Sequence, residues 1–550
     1  MKSYLKETWY MYIISFVFCF LLFFFEPIMM YLGNVSDFWF GISTIIKMSL
    51  SLFLVFYITC VVIFNIVYFI SKKAFNILIV LFFIVFICFY IQGNYLIGNL
   101  PVLDGTPIVW SSNKIDWLIS GLLWIIVTLL VYFITKKVTI KKMVKYASFV
   151  SLAVFVMIRL SRVISLVSSG ELPGKEYVPF TTYKNINKYS DNKNFIILVL
   201  DSVDSGTFNK KMNEDKDFNN LLHDFTYYPD TMSAHPYTTE SLPLMLTGKL
   251  YKNDEPILKW TTDAYKNSSL LKLLEDNKYD INLYESELFY YDKGASRISN
   301  VYGSDNHDKL INVPSFWNQE LKYISFKYLP SFFKRFSKID DMYYNPRRIF
   351  KKNENLDDRF FDTSDLDLLN IIKENTYQKV DENVFKFIHV EGAHVPFKYD
   401  KNFNIIKNGT YEDGVLACLT LTKEYLNKLK ENGVYDNSAI IIMAEHGYTT
   451  KENDNQRQNP ILYVKGFKET HDTMQTSNKP VHFIDLEGLY KDLVAGKKSS
   501  DLFKNIPNER TRTFMYYKLG WDHMIEYETT GTVLDKEKQH KTGKEYYKKR

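Results

Sequence analysis

Short segments in the second half of the chain place carboxylate and imidazole side chains where they can do chemistry. Asp201 directly follows the apolar run Phe195–Leu200, and Glu445 with His446 follows the run Ala439–Ala444. Carboxylates and imidazoles are ligands for divalent cations such as Zn²⁺ and Mn²⁺. Each position also has an ordinary structural explanation, because an Asp after a strand is often a turn residue or a helix cap, and an acidic residue beside a His is common.

A second chemical feature is the segment Thr238–Gly248, which reads Thr-Thr-Glu-Ser-Leu-Pro-Leu-Met-Leu-Thr-Gly. Its hydroxyl groups precede an apolar run with helical character that ends at Gly. A phosphate ester on Thr238 would lie on the free N–H groups at the N-terminus of such a helix. The alternative is that Thr238, Thr239 or Ser241 only caps the helix.

The elements around these residues alternate between short apolar runs and amphipathic stretches, which predicts a mostly parallel sheet with helices on both faces. Ligands gather outside the carboxyl ends of the strands in such sheets. We therefore expect Asp201, His394, Glu445 and His446 to meet at one edge. The predicted strands are 195–200, 281–284, 384–390 and 439–444, and the predicted helices are 268–275 and 411–431.

The first 170 residues are strongly apolar and predict a bundle of five membrane-spanning helices. Lys clusters before the first span, after the second and after the fourth place the N-terminus in the cytoplasm and everything after the fifth span outside it. Charged residues in or beside the spans, Glu26 among them, are expected either to pair or hold lipid headgroups, or to reach the interface. The predicted spans are 9–31, 48–70, 75–91, 117–135 and 147–168.

Composition excludes several other classes of protein. The net charge of +5 comes from scattered Lys and Arg residues, so no basic stripe indicates a nucleic-acid partner. Of the four cysteines only Cys418 lies in the polar half, and no Cys-x-x-Cys pair occurs. Neither a disulfide within that half nor a Cys-ligated metal site is therefore expected.

The Thr238 segment resembles the sulfatase signature C-x-P-S-R-x-x-x-L-T-G, with Thr238 in the Cys position and Ser241 matching the signature Ser. Thr cannot become the formylglycine of sulfatases, and Leu242 replaces the Arg, which argues against sulfate-ester hydrolysis. The segment is more similar to the nucleophile segments of lipoteichoic acid synthases and phosphoethanolamine transferases. Those families are anchored by five membrane helices, the number predicted here.

Three further segments carry the same resemblance. The segment His389–Phe397 resembles H-x-x-G-x-H-x-P, which implies that His394 contacts substrate. The resemblance also implies that His389 and Ser241 are substrate-binding residues of the same site. Glu445 and His446 fall where these families have the metal ligands of Asp-His-Gly. Arg457 begins a segment similar to R-x-N-P-L-L and is the nearest candidate for a phosphate contact, since the third His of the phosphoethanolamine transferases is missing.

The resemblance implies a membrane-bound, metal-dependent phosphotransferase. Asp201, Glu445 and His446 would hold a Zn or Mn ion, with Thr238 completing the shell and acting as the nucleophile. A phospholipid would donate glycerol phosphate or phosphoethanolamine, through a phosphothreonine, to a surface glycan or lipid. A hydrolase of phosphodiesters, phosphonates or sulfate esters and a non-catalytic membrane scaffold remain alternatives.

The resulting domain plan has four parts. A transmembrane domain covers residues 1–170 and a juxtamembrane linker covers 171–192. A sulfatase-like catalytic domain covers 193–506, and an edge hairpin with a charged tail covers 507–550.

Overall fold

The chain divides into two compact units that interleave along the sequence. In the computed structural model, one unit contains Met1–Tyr177 and Ser304–Lys351, and the other contains Val178–Gly303 and Lys352–Arg550. The first is called the helical unit here and the second the α/β unit. The structure describes residues 2–34, 38–96, 110, 114–146, 148–150, 180–285, 297–301, 310–340, 344–351, 353, 355–374, 377–449, 456–517 and 523–547.

The helical unit has four helices long and apolar enough to cross a membrane among the described residues. The first is continuous but changes from α-helical to π-helical geometry along the Phe-rich segment Phe20–Phe25. The predicted fifth span, 147–168, falls almost entirely outside the described residues. The helical segments are Lys2–Cys19, Phe20–Phe25, Glu26–Gly33, Ile42–Ile70, Lys72–Tyr95 and Lys114–Thr135.

The helical unit also contains a helix that lies far along the sequence, Val313–Tyr328. Its Lys327 forms an ion pair with the buried Glu26, whose carboxylate also accepts hydrogen bonds from Tyr323 at 3.1 Å and Tyr328 at 2.8 Å. A charge inside a membrane span is costly unless it is paired. Glu26 is therefore paired with a partner outside the spans and does not reach the interface alone. The 3₁₀-helix Ser331–Ser337 and the short helix Pro346–Ile349 follow.

The α/β unit is built on a seven-stranded sheet. Its strands, in chain order, are β2 (Asn194–Leu200), β3 (Thr226–Tyr227), β5 (Tyr279–Tyr284), β7 (Asn383–Val390), β8 (Ser438–Met443), β9 (Leu462–Lys465) and β10 (Gln475–Thr476). Across the sheet the strand order is β10-β3-β9-β8-β2-β7-β5. The central strands β5, β7, β2 and β8 run parallel, and β9 is antiparallel to both of its neighbours. This confirms the predicted mostly parallel sheet.

Every residue of β2 is buried, because alternate side chains pack on opposite faces of the sheet. Ile196, Leu198 and Leu200 belong to one apolar cluster, and Phe195 with Val199 belongs to the other. Helices cover both faces, as expected for such all-apolar parallel strands. They are Ser205–Glu214, Asp365–Glu374 and Tyr411–Glu431 on one face, and Thr238–Thr247, Ser269–Asp276 and Leu486–Val494 on the other, with Ile257–Lys266 beside them.

Smaller sheets complete the α/β unit. The C-terminal region forms a three-stranded antiparallel sheet, and its third strand lies in the stretch that the sequence indicated as a charged tail. The remaining strands are β1 (Lys188–Ser190), β4 (Thr231–Met232), β6 (Gln378–Val380), β11 (Val481–His482), β12 (Arg512–Tyr517), β13 (His523–Thr529) and β14 (Gln539–Tyr547). The 3₁₀-helices are Lys216–Phe218, Leu356–Asp358, Gln456–Gln458, Phe483–Asp485, Ser499–Asp501 and Lys536–Lys538.

Candidate metal and nucleophile site

Two adjacent parallel strands deliver three potential metal ligands to one edge of the sheet. Asp201 follows β2 directly, and Glu445 and His446 come shortly after the end of β8. The ligand atoms of these three side chains all lie within 4.8 Å of one another, and all three residues are buried. The structure thus brings together two carboxylates and one imidazole, a donor set that suits Zn²⁺ or Mn²⁺.

Thr238 is the first residue of the helix Thr238–Thr247. Its hydroxyl donates a hydrogen bond to Glu445 Oε1 at 3.1 Å and lies 3.4 Å from His446 Nε2. The cap residue is Tyr237, which supplies no side-chain hydrogen bond to the helix N-terminus. Thr238 therefore does not cap this helix, and its hydroxyl lies beside the ligand cluster at a helix end that favours anions.

Burial and mutual repulsion control the charges in the cluster. Burial raises the pKa of Glu445 well above its usual value, and the nearby Asp201 carboxylate raises it further. Burial opposes ionisation of Asp201 as well, but the imidazoles of His394 and His389 outweigh it and lower its pKa. Burial also lowers the pKa of His446 to about 3, so this imidazole is neutral near pH 7, the form that binds a metal.

Glu445 offers the direct test of whether a cation fits this site. Its Oε2 atom is buried and has no hydrogen-bond partner among the described residues. A buried acceptor without a partner is costly, and two adjacent carboxylates cannot both ionise cheaply. A divalent cation ligated by Asp201, Glu445 and His446 removes both costs, so the residues present fit a metal ion.

His394 approaches the cluster from the loop after β7, and Arg457 approaches it from the 3₁₀-helix Gln456–Gln458. His394 lies after β7, and its Nδ1 is 2.7 Å from the carbonyl oxygen of Val395, which leaves Nε2 on the opposite side of the ring. Arg457 donates from Nε to the carbonyl of Pro236 at 2.6 Å, and its guanidinium lies 4.6 Å from the centre of the Tyr237 ring. Arg457 is thus held beside the start of the Thr238 helix, where a phosphate group would lie.

Ser241 and His389 occupy different surroundings from those of an open substrate pocket. Ser241 is fully buried, and its hydroxyl donates to the carbonyl of His235 at 3.1 Å. His389 is also buried, with Nδ1 2.6 Å from Glu285 and Nε2 3.5 Å from Asp201. These contacts give neither residue a direct route to substrate, and their roles as substrate contacts stay predictions.

Glu285 is a residue of this site that the sequence reasoning missed. It follows the last residue of β5, as Asp201 follows β2, and β5 neighbours β7 in the sheet. The proximity of Glu285 and Asp201 raises the pKa of His389 well above its usual value, although burial acts in the other direction. The sequence feature that could have identified Glu285 is its position directly after a predicted strand.

Residues 193–486 match the sulfatase family. Lipoteichoic acid synthases of several Staphylococcus aureus strains are 26% identical over 299 residues, which span 50% of this chain and 38% of theirs. Among solved structures, Ps i-CgsB in complex with k-i-k-neocarrahexaose is 15% identical and aligns with a TM-score of 0.39 over 62% of this chain and 82% of that chain. The lipoteichoic acid synthase LtaP of Listeria monocytogenes is 13% identical, with a TM-score of 0.34 over 64% and 88%. Since the family match covers more than half of the chain, and the Thr238, Asp201 and Glu445 segments all lie within it, this chain belongs to the sulfatase family.

Proposed function

We propose that the chain is a membrane-anchored, metal-dependent phosphotransferase that carries the transferred group on Thr238. The observation that carries this proposal is the position of the Thr238 hydroxyl, which is hydrogen-bonded to Glu445 and lies beside His446 at an uncapped helix N-terminus. A hydroxyl with only a structural role would have no need of buried carboxylates around it. The lipoteichoic acid synthases to which the chain is similar support a phosphoryl substrate.

A Zn²⁺ or Mn²⁺ ion bound by Asp201, Glu445 and His446 would supply the positive charge that makes a Thr hydroxyl acidic enough to act as a nucleophile. Glu445 Oε1 already accepts the Thr238 hydroxyl hydrogen and is placed to take its proton. The N–H groups at the start of the Thr238 helix and the Arg457 guanidinium would then hold the oxygens of the phosphoryl group.

In the first step the bond from Thr238 Oγ to phosphorus forms, and the bond from phosphorus to the lipid alcohol breaks. His394 would donate a proton to the departing oxygen, leaving diacylglycerol and a phosphothreonine diester. In the second step a hydroxyl of a surface glycan or lipid attacks phosphorus and gives its proton to the same imidazole. The bond from phosphorus to Thr238 Oγ breaks, and Glu445 returns the proton to that oxygen. The donor would deliver glycerol phosphate or phosphoethanolamine.

The test is mass spectrometry of the Thr238 peptide after the metal-loaded full chain has been incubated with phosphatidylglycerol or with phosphatidylethanolamine. We expect an added mass on Thr238 that identifies the headgroup phosphate. The adduct should be absent in Thr238→Ala and retained in Thr239→Ala, a matched change at the next residue. A modified Thr238→Ala protein would refute the covalent mechanism.

The same incubation separates a transferase from a hydrolase. With donor lipid labelled in the headgroup, transfer puts the label on an added lipid or glycan acceptor, whereas hydrolysis releases the label as a free phosphate monoester. Label released at the same rate with and without acceptor would establish the hydrolase alternative. Removal of the metal with a chelator should stop both reactions, and readdition of Zn²⁺ or Mn²⁺ should restore them.

A further inference from the structure

The 3₁₀-helix Ser331–Ser337 has an inverted pattern of burial. Phe332, Phe333 and Phe336 are 39%, 48% and 60% exposed, whereas Lys334 is only 1% exposed. In contact with water the opposite distribution is expected, since Phe is commonly buried and Lys almost never is. The three phenyl rings are called the Phe patch below.

The buried lysine fixes this orientation. Lys334 Nζ donates to the carbonyl oxygens of Phe326 at 2.5 Å and Lys327 at 3.0 Å, in the last turn of the helix Val313–Tyr328. A cation at a helix C-terminus satisfies carbonyls that have no partner within the helix. Turning the Phe patch inward would break these bonds, so its exposure is built into the structure.

The Phe patch continues the surface of a candidate membrane span. The ring of Phe332 lies 5.3 Å from that of Trp117, and the N–H of Ser331 donates to Ser120 Oγ at 3.1 Å. Both partners belong to the helix Lys114–Thr135, most of whose side chains are exposed in the absence of a bilayer. At 1.5 Å per residue, Ser120 lies about 9 Å from the charged start of that helix. With the charged start of that helix in the headgroup layer, the patch is expected at the depth where headgroups meet acyl chains.

A cation accompanies the aromatic rings. The guanidinium carbon of Arg335 lies 4.0 Å from the centre of the Phe332 ring and 4.9 Å from that of Phe336. Arg335 is itself exposed. Aromatic rings at the boundary of the apolar layer, with an arginine among them that can pair with phosphate, form the chemistry of a surface that binds anionic phospholipid.

We propose that the Phe patch and Arg335 form a membrane-docking surface. The phenyl rings enter the boundary of the leaflet that surrounds the start of the Lys114–Thr135 helix, and Arg335 pairs with the phosphates of anionic phospholipids there. The segment Ser304–Lys351, which lies within the residue range of the sulfatase match but belongs to the helical unit, is thereby held to the bilayer surface. This surface is independent of the chemistry at Thr238 and would remain if the chain proved to be a hydrolase or a scaffold.

The depth of the patch can be measured on the full chain in vesicles of phosphatidylcholine and phosphatidylglycerol. A bimane probe is attached to Phe333→Cys in a background in which Cys19, Cys60, Cys88 and Cys418 are replaced by Ala. We expect quenching by lipids that carry a nitroxide near the top of the acyl chain, and little quenching by aqueous iodide. Ile126→Cys, in the middle of the Lys114–Thr135 helix, is the reference for a deep position. It should respond most to nitroxides near the end of the acyl chain.

Two outcomes would overturn the proposal. Strong iodide quenching at position 333 without lipid quenching would place the patch in water. Protection from both quenchers would show that protein covers it, from this chain or from a second copy.

The lipid preference is tested with Arg335→Gln and Arg335→Lys. Quenching by nitroxide-labelled phosphatidylglycerol should exceed that by labelled phosphatidylcholine about twofold in the wild type and in Arg335→Lys. If the two labelled lipids quench equally in all three proteins, the surface has no preference for anionic lipid.

Discussion

His389 links Asp201, one of the proposed metal ligands, to a second carboxylate, Glu285. Its two ring nitrogens lie 3.5 Å from Asp201 and 2.6 Å from Glu285. Carboxylates that ligate a metal are themselves held in place by hydrogen bonds to surrounding groups, and these groups affect metal affinity. We infer that Glu285 and His389 act by positioning Asp201, while the chemistry takes place at Thr238.

We predict that Glu285→Gln lowers the affinity of the chain for Zn²⁺ or Mn²⁺ by about 10-fold to 100-fold. The neutral amide of Gln cannot balance the positive charge of the His389 ring. Asp201 therefore loses the charged partner that orients it. Competition titration with a fluorescent chelator on the full chain measures this affinity.

The matched control for that titration is Glu382→Gln. Glu382 is an exposed carboxylate beside the opposite end of β7 and pairs with Lys188. We expect its removal to leave metal affinity unchanged. Equal affinities for wild type and Glu285→Gln would show that Asp201 does not depend on the Glu285–His389 pair.

The metal and nucleophile candidates could be named from sequence because each one either follows a long apolar strand or opens a helix. Asp201, Glu445 and Thr238 all come together in the structure. Glu285 could not be identified so readily, because its position directly after β5 was the only sequence feature that indicated a functional role. The buried surroundings of Ser241 depend on how the helix Thr238–Thr247 packs, which its local sequence does not specify.

At the scale of elements, a glycine allows the loop after β7 to cross the end of β2. Gly392 has φ +59°, and a Cβ there would lie 2.5 Å from the backbone nitrogen of Asp201. The neighbouring Ala393 N–H donates to the carbonyl of Asp201 at 2.9 Å. The loop that carries His394 is thus held against Asp201, a proposed metal ligand, by a contact that only Gly permits.

We predict that Gly392→Ala destabilises the α/β unit by at least about 2 kcal/mol, since left-handed backbone strain and a clash with main-chain atoms add together. It should also weaken metal binding, because Asp201 must shift. Gly433→Ala is the control for strain alone, since Gly433 has φ +69° with no atom near the added Cβ. Thermal unfolding of the full chain should show a clearly smaller drop for Gly433→Ala, and equal drops would exclude the clash.

The long elements were predictable because their periodicity is unambiguous. The helix predicted over 411–431 and the central strands agree with the structure to within about two residues at each end. The strands β3, β4, β10 and β11 were not predicted, because each has only two residues and two residues have no periodicity. Tertiary pairing alone defines them.

At the scale of the whole molecule, the number of spans decides on which side of the membrane the α/β unit lies. The described residues contain four candidate spans, and the Lys clusters of the sequence require a fifth before residue 180 for an outer location. We predict that a membrane-impermeant maleimide labels Lys407→Cys but not Lys137→Cys in intact cells. Both are exposed lysines, and both should react after lysis. Labelling of both positions or of neither in intact cells would indicate an even number of spans, and labelling of Lys137→Cys alone would indicate the opposite orientation.

The stability of the α/β unit should also depend on the pH through Lys465 in β9. Its side chain is fully buried, and its ammonium donates to the carbonyls of Tyr435, Ser438 and Gly466 at 3.1 to 3.2 Å. Burial lowers its pKa to about 8, whereas an unfolded lysine titrates near its usual value of about 10.4. Below pH 8 the fold therefore carries a buried charge at a cost of about 3 kcal/mol.

Between about pH 8 and 10.4 the unfolded chain binds the proton more tightly than the folded chain, so the Lys465 contribution to stability rises with pH. We predict that the wild type gains about 2 to 3 kcal/mol relative to Lys465→Met between pH 7 and pH 10. Comparing the two proteins removes the contributions of all other titrating groups that they share. Unfolding midpoints of both full-length proteins, measured at each pH, test this directly. If the free energy of unfolding of the wild type minus that of Lys465→Met stays constant or falls as the pH rises, burial does not lower the pKa of Lys465.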